Sequence, residues 1–369
     1  MSRLVHGLPS LSQTDYLPLV ELSIFLSLAL VVVYFLTTTK SLASCKFLSS
    51  ISFGDMSKML FLCALAIHFG NYFYSGVAKL SMDGGITEWV MHSQTQYMTE
   101  AAAVIGLLPL TPWPEFAATL HKFLGEWYVV SNFVVLVSQL VTLLAIWRTR
   151  WAMLLTVFFD LTHIVIFLAT GILFWKWILL NLLFVIGLAR LNKYQLKSWQ
   201  SWLLITIIPA ANIFFFAATL AWYDSPGLLH HRLVAVTDTG HRITVPSNFF
   251  LDASVTVAQN RLGTPPGHFP TSTWGGTQSQ SIRNDALNDC TFTDKAVVRA
   301  LNEHQLRSFV INYHRYVERN LNEYDQFAFD LHPHHIYSNP NAYRDFYAFD
   351  LRTVKKYEYV IESVCLDGN

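Results

Sequence analysis

Long apolar stretches constrain this chain more than any other feature of its sequence. A hydrocarbon core about 30 Å thick is crossed by about 20 mostly apolar helical residues. Six segments meet that requirement: 17–37, 58–80, 124–147, 151–170, 172–190 and 201–222. The stretch 83–122 carries another apolar run, AAAVIGLLPL, but Pro109, Pro112 and Pro114 break it. It reads as an interfacial or re-entrant excursion, with a seventh crossing as the alternative. Only 14% of the residues are charged, against about 25% in soluble domains, which argues against a soluble cytosolic enzyme. Lys+Arg 25 against Asp+Glu 25 leaves no net charge, so no nucleic-acid partner is expected. Four cysteines are too few for a disulfide scaffold.

The charges are unevenly placed. Residues 1–222 hold 12 Lys/Arg and 9 Asp/Glu, whereas the shorter 223–369 holds 13 and 16. The sequence therefore divides into a membrane domain, 1–222, and a small soluble-type domain, 223–369, joined near Tyr223–Gly227. Short basic loops stay in the cytoplasm. Lys40, Lys46 and Lys58, then Arg148 and Arg150, then Arg190, Lys193 and Lys197, all fall on one side of a six-span arrangement. The C-terminal domain then lies outside, in a periplasmic or luminal compartment. Two processing readings compete at the N-terminus. A signal peptide would have an unusually long apolar region, and a lipidated Cys45 would sit on the wrong side of the charge pattern.

In the outward domain, Leu233–Val236 and Arg242–Val245 flank Thr237-Asp238-Thr239-Gly240, which predicts a β-hairpin. Residues 262–281 are a Pro/Gly/Ser/Thr loop. Thr293 or Asp294 is expected to cap a helix whose apolar positions run Val298, Leu301, Leu306, Val310, Tyr313, Val317 and Leu321. Phe346–Asp350 and Tyr357–Cys365 alternate like strands. The fold expected is thus a multi-pass α-helical bundle followed by a small extracytoplasmic α+β domain. Cys290 and Cys365 are its only cysteines, and an oxidising compartment favours a bridge between them over two separate buried thiols.

Ionisable groups inside a bilayer are costly and usually face a partner or a cavity. His68, Tyr72, Ser75 and Lys79 stand at i, i+4, i+7 and i+11, one face of the second span. Gly70 and Gly76 permit close approach of a helix or ligand. Asp160 and His163 share a face of the fourth span, where a carboxylate can orient an imidazole, pair with a cation or hold a proton. Bland readings compete: Lys79 near its span end can snorkel to the headgroups, and either histidine can be a helix-contact residue. Trp175 and Trp177 suit an interfacial belt.

Tyr72-Phe-Tyr-Ser-Gly-Val-Ala-Lys79-Leu80, followed by acidic and aromatic residues ending in Trp89, resembles a landmark segment of the vitamin K-dependent γ-glutamyl carboxylases. It is also similar to the broader HTTM group of membrane proteins. Asp160-Leu-Thr-His163 leading to Gly171-Ile-Leu-Phe174 resembles the second landmark, and the likeness covers roughly 15–250. The resemblance implies a membrane enzyme in which Lys79 deprotonates reduced vitamin K or another menaquinone-type quinol. The anion then reacts with oxygen, and the resulting base takes a γ-proton of glutamate before carbon dioxide adds. It further implies His68, Asp160 and His163 as catalytic or proton-handling partners, Tyr72, Ser75 and Gly76 as the quinol-binding surface, and a peptide or protein substrate outside. Two departures stand out: Ala78 occupies the place of a second lysine, and the outward domain is much smaller than a propeptide-binding region.

His332, His334 and His335, with His230, His231 and His241, are weak candidates for an outward metal site, lacking a helical i, i+4 spacing or a Cys partner. Three functions compete: a quinol-dependent carboxylase-like enzyme, a non-catalytic accessory protein in peptide maturation or partner docking, and a transporter, which would need paired broken helices. The enzyme reading expects an apolar cavity open to lipid, with Lys79 at its polar end near His68 or the Asp160/His163 pair.

Overall fold

The computed structural model describes residues 13–38, 53–191, 194–215, 220–258, 262–263, 268, 277–290, 301–324 and 335–368. Among the described residues the protein is mostly helical, with one small antiparallel sheet. The helices are α1 (Gln13–Thr38), α2 (Phe53–Leu80), α3 (Glu88–His92), α4 (Gln96–Val104), α5 (Pro114–Ala145), α6 (Thr149–Thr170), α7 (Trp175–Arg190) and α8 (Ser198–Phe214), then the outer α9 (Ser254–Ala258), α10 (Gln280–Asp289), α11 (Glu303–Tyr324) and α12 (Arg344–Tyr347). The strands are β1 (Gly227–Thr237), β2 (Arg242–Val245) and β3 (Val354–Cys365).

Among the described residues, three helices are long and apolar enough to cross a membrane: Gly54–Leu80 of α2, α5 and α6. α7 and α8 have 16 and 17 residues, about 24–26 Å at 1.5 Å per residue, short of a full hydrocarbon core. Two boundaries differ most from the sequence expectation. α5 starts at Pro114 rather than 124, because proline is well placed in a first helical turn, and a break at Trp127 (φ −116°, ψ 15°) separates this early part from the apolar remainder. α8 ends at Phe214 rather than 222, and the chain from Leu220 to Pro226 is irregular.

α2 packs against α1, α5 and α8. Two glycines allow this. A Cβ on Gly70 would stand 2.9 Å from the Ala211 Cβ, and one on Gly76 would stand 3.1 Å from both the Gln139 Cβ and Leu140. α6 ends in a left-handed cap at Gly171 (φ 76°). That residue lies so near the Leu107 carbonyl that a Cβ would fall 2.2 Å from it. The excursion folds into α3, α4 and tight turns. Ala101, Leu107 and Leu110 pack in one core cluster with Leu228, Val255, Ile336 and Leu366, so the segment underlies part of the C-terminal region.

The sheet order is β2-β1-β3, with Leu233 opposite Val245 and Tyr359. The expected hairpin is present, with Gly240 (φ 83°) donating its N–H to the Thr237 carbonyl at 3.1 Å. α11 buries Leu306, Phe309, Val310, Tyr313 and Val317 on one stripe, against Leu233, Ala235, Phe249 and Phe250. Its start differs from expectation: the Asn302 side chain accepts from the Gln305 N–H at 3.0 Å, and Thr293, Asp294 and Val298 lie outside the described residues. Phe346–Asp350 is not a strand. Arg344–Tyr347 forms one helical turn, and the Asp350 carboxylate caps the next turn by accepting from Arg352 N at 3.0 Å. Local capping outweighs the alternating pattern there. Cys290 and Cys365 form a disulfide with Cα atoms 5.9 Å apart. It ties the end of α10 to the end of β3. Cys45 lies outside the described residues.

Candidate functional site

The polar face of α2 serves two separate places. His68 and Lys79 are eleven positions apart, about 16 Å along a helix. At the inner place, Asn181 of α7 is the hub. Its Oδ1 lies 2.8 Å from His68 Nε2, and its Nδ2 donates to the Tyr72 hydroxyl at 2.9 Å and to Asp160 Oδ1 at 2.8 Å. Because the amide oxygen is an acceptor only, His68 must carry its proton on Nε2. His68, Tyr72 and Asn181 are all buried. The Tyr72 ring stacks on Phe159 at 3.8 Å, and His68 stacks on Phe184 at 5.3 Å. Trp177, expected in an interfacial belt, is instead inside, 5.1 Å from the His68 ring.

The Asp160–His163 pairing does not form. Asp160 is bound by the Asn181 amide, and the buried His163 Nδ1 has no hydrogen-bond partner among the described residues. The His163 ring lies 5.1 Å from Phe174 and 6.1 Å from Tyr72. The i, i+3 spacing puts the two side chains on one face, but the Asn181 amide captures the carboxylate first.

At the outer place, Lys79 is 6% exposed and so is not a snorkelling lysine. Its Nζ donates to the Leu220 carbonyl at 2.6 Å and to the Ser75 carbonyl at 3.3 Å, and it sits 5.0 Å from the Trp89 ring centre. Trp89 is held in turn, donating Nε1–H to the Trp222 carbonyl at 2.9 Å. The stretch from Leu220 to Trp222 thus lies over the end of α2. Leu220 N–H also donates to Ser75 Oγ at 3.3 Å. Two residues on, Asp224 is buried and accepts from Trp222 Nε1 at 3.0 Å and Ser93 Oγ at 3.3 Å. Burial pushes the Asp224 carboxyl up to about 7, against the Trp222 and Ser93 hydrogen bonds and the Lys79 charge.

A second lock lies just outside. Arg283 of α10, 3% exposed, donates to Glu88 Oε1 at 2.8 Å and lies over the Tyr223 ring at 4.8 Å. Tyr223 donates its hydroxyl to the Asp83 carbonyl and pairs with Thr277 through backbone hydrogen bonds.

Against a bound quinol, the residues divide. Lys79 fits a proton acceptor, a sheltered amine held by backbone carbonyls and an indole face. Tyr72, Ser75 and Gly76 do not provide the expected ring-binding surface: Tyr72 is stacked on Phe159, Ser75 is bonded to Leu220, and Gly76 is filled by α5. Sequence reasoning missed Asn181 and Asp224. Asn181 was visible as the one strongly polar residue inside WILLNLLFVIG, whereas Asp224, outside every span, carried no such signal.

The candidate metal-site histidines can be followed only in part. His332 and His334 lie outside the described residues, and the His335 ring packs edge-on against Phe174 at 5.1 Å. Among the described residues, no group of three or more His, Cys, Asp or Glu is arranged to hold a metal. Comparison with protein-family models, curated proteins and solved structures found no match to this chain.

Proposed function

We propose that this chain is a six-span HTTM-like membrane protein with its basic loops cytoplasmic and its C-terminal domain outside, working as a quinol-dependent γ-glutamyl carboxylase-like enzyme. The observation that carries the reading is the sheltered Lys79 amine, held by two carbonyls and the Trp89 face where α2 meets the outer domain. A bound quinol would supply, with oxygen, the driving force for exchanging a glutamyl γ-proton for carbon dioxide. In that chemistry Lys79 accepts a proton, Trp89 offers the flat face beside it, and the Leu220–Trp222 segment keeps water away. The Glu88–Arg283 lock anchors α3, and with it Trp89, on the side from which an outer peptide substrate would arrive.

A second reading has its own support. The packing roles of Tyr72, Ser75 and Gly76 suit an accessory protein whose polar stripe assembles helices. Quinol- and oxygen-dependent uptake of labelled carbon dioxide into a glutamyl peptide, measured in membranes holding the full chain, separates the two. The enzyme reading expects Lys79→Ala to lower uptake by about 10²–10⁴-fold, the usual contribution of a general base. Undiminished uptake in a folded Lys79→Ala protein removes Lys79 from the chemistry. No uptake by the unaltered chain favours the accessory role.

A further inference from the structure

We propose that Asp224 is the proton-holding partner of Lys79: the two form a linked, buried acid–base pair where the end of α2 meets the Leu220–Asp224 segment. The inference deepens the proposed function, on which its catalytic meaning rests, but its test does not.

The argument starts from isolation. Lys79 and Asp224 are 6% and 4% exposed. Lys79 meets carbonyl oxygens, and Asp224 meets the neutral donors Trp222 Nε1–H and Ser93 O–H. Neither makes an ion-pair contact with a described residue; burial pushes the Asp224 carboxyl up, and the Trp222 and Ser93 hydrogen bonds and then the Lys79 charge oppose it. The other charged groups of this region are already engaged among themselves. Glu88 pairs with Arg283 and His92, and the Asp83 carboxylate accepts from Gln280 N–H. Asp224 therefore has Lys79 as the charged group that acts on it.

Two separated charges in a medium of low polarity are costly, and one proton removes both. When the N–H bond of the ammonium breaks and an O–H bond forms on Asp224, the pair passes from ammonium and carboxylate to amine and carboxylic acid. Net charge is unchanged and no further reactant is consumed. The first state is poised to give up a proton, and the second presents the free amine that a base requires. The fold builds this coupling into a few residues. Leu220 holds the amine, Trp222 joins Trp89 to Asp224, and Ser93 both accepts from Asp224 N–H at 3.1 Å and donates to its carboxylate.

The test follows Asp224 by infrared spectroscopy on the full-length protein in lipid discs, as the protonated-carboxyl band that disappears in Asp224→Asn. In the unaltered protein this band should fade around pH 7. Lys79→Met removes the charge favouring the carboxylate, so the midpoint should rise, by about one pH unit for a tenfold linkage. Lys79→Arg keeps the charge and should restore the original midpoint. A midpoint unmoved in a folded Lys79→Met protein overturns the pairing, as does an equal rise in Lys79→Arg. Because the readout needs no turnover, the link can stand or fall separately from the carboxylase reading.

Discussion

Replacing Asn181 with leucine tests whether the inner polar cluster holds the bundle together. The substitution keeps the branching and heavy-atom count, and removes three hydrogen bonds, to His68, Tyr72 and Asp160. Stranding a buried polar group in a soluble core costs about 1–3 kcal/mol, which would total about 3–9 kcal/mol here. Inside a membrane the unfolded helices also find partners, and measured hydrogen bonds average about 0.6 kcal/mol. Three such bonds come to about 2 kcal/mol. Asp160 is half-exposed, so it can recover another partner and keep the loss near that lower value. The unfolding equilibrium should shift about 30-fold. Denaturant titration of the refolded, full-length protein in bicelles reads this directly. A protein as stable as the parent, or more stable, would show that the cluster is kept for chemistry alone. Asn181→Asp should be worse than leucine, since it places a second carboxyl against Asp160.

Three further outcomes follow from particular contacts. Asp224 holds its proton up to about pH 7 in the folded protein, whereas an unfolded carboxyl releases it near 3.8. Stability should therefore fall by about 1.4 kcal/mol per pH unit between those values and level off above them, a slope that Asp224→Asn abolishes in denaturation curves. Gly70→Val drives a side chain into Ala211 and should cost about 1–3 kcal/mol; Ala211→Gly in the same protein should return part of it, read from the denaturation midpoint. Cys290→Ser opens a link between residues 75 apart, worth about 4 kcal/mol by loop entropy, and should make the outer domain much more sensitive to proteolysis.

Apolar length and helical spacing made much of this architecture legible. The middle helices, the hairpin around Asp238 and the buried stripe of α11 all follow from patterns that repeat within a few residues. Boundaries were less legible where capping decides them. Pro114 begins a helix ahead of its apolar part, and Asp350 turns an alternating segment into a cap. The site was half-legible. The face of α2 carrying His68 and Lys79 could be read directly, but their partners come from distant segments. Asn181 is 113 residues from His68, and Leu220 is 141 from Lys79. No local period reports such meetings, so the spacing of Asp160 and His163 could not show that the Asn181 amide is the group that reaches the carboxylate.

The left-handed turn at Gly171 reaches beyond α6. Ile172 pairs with Ile336, Leu173 N–H donates to the His335 carbonyl at 2.6 Å, and Tyr337 N–H donates to the Gly171 carbonyl at 2.8 Å. A piece of the extramembrane domain is thereby stitched between the two helices that supply Asp160 and Asn181. Cutting the chain after residue 222 would unpick that seam and leave its amides bare. The two halves that composition separates so cleanly are joined there by backbone hydrogen bonds, beside the ends of the helices that carry the polar hub.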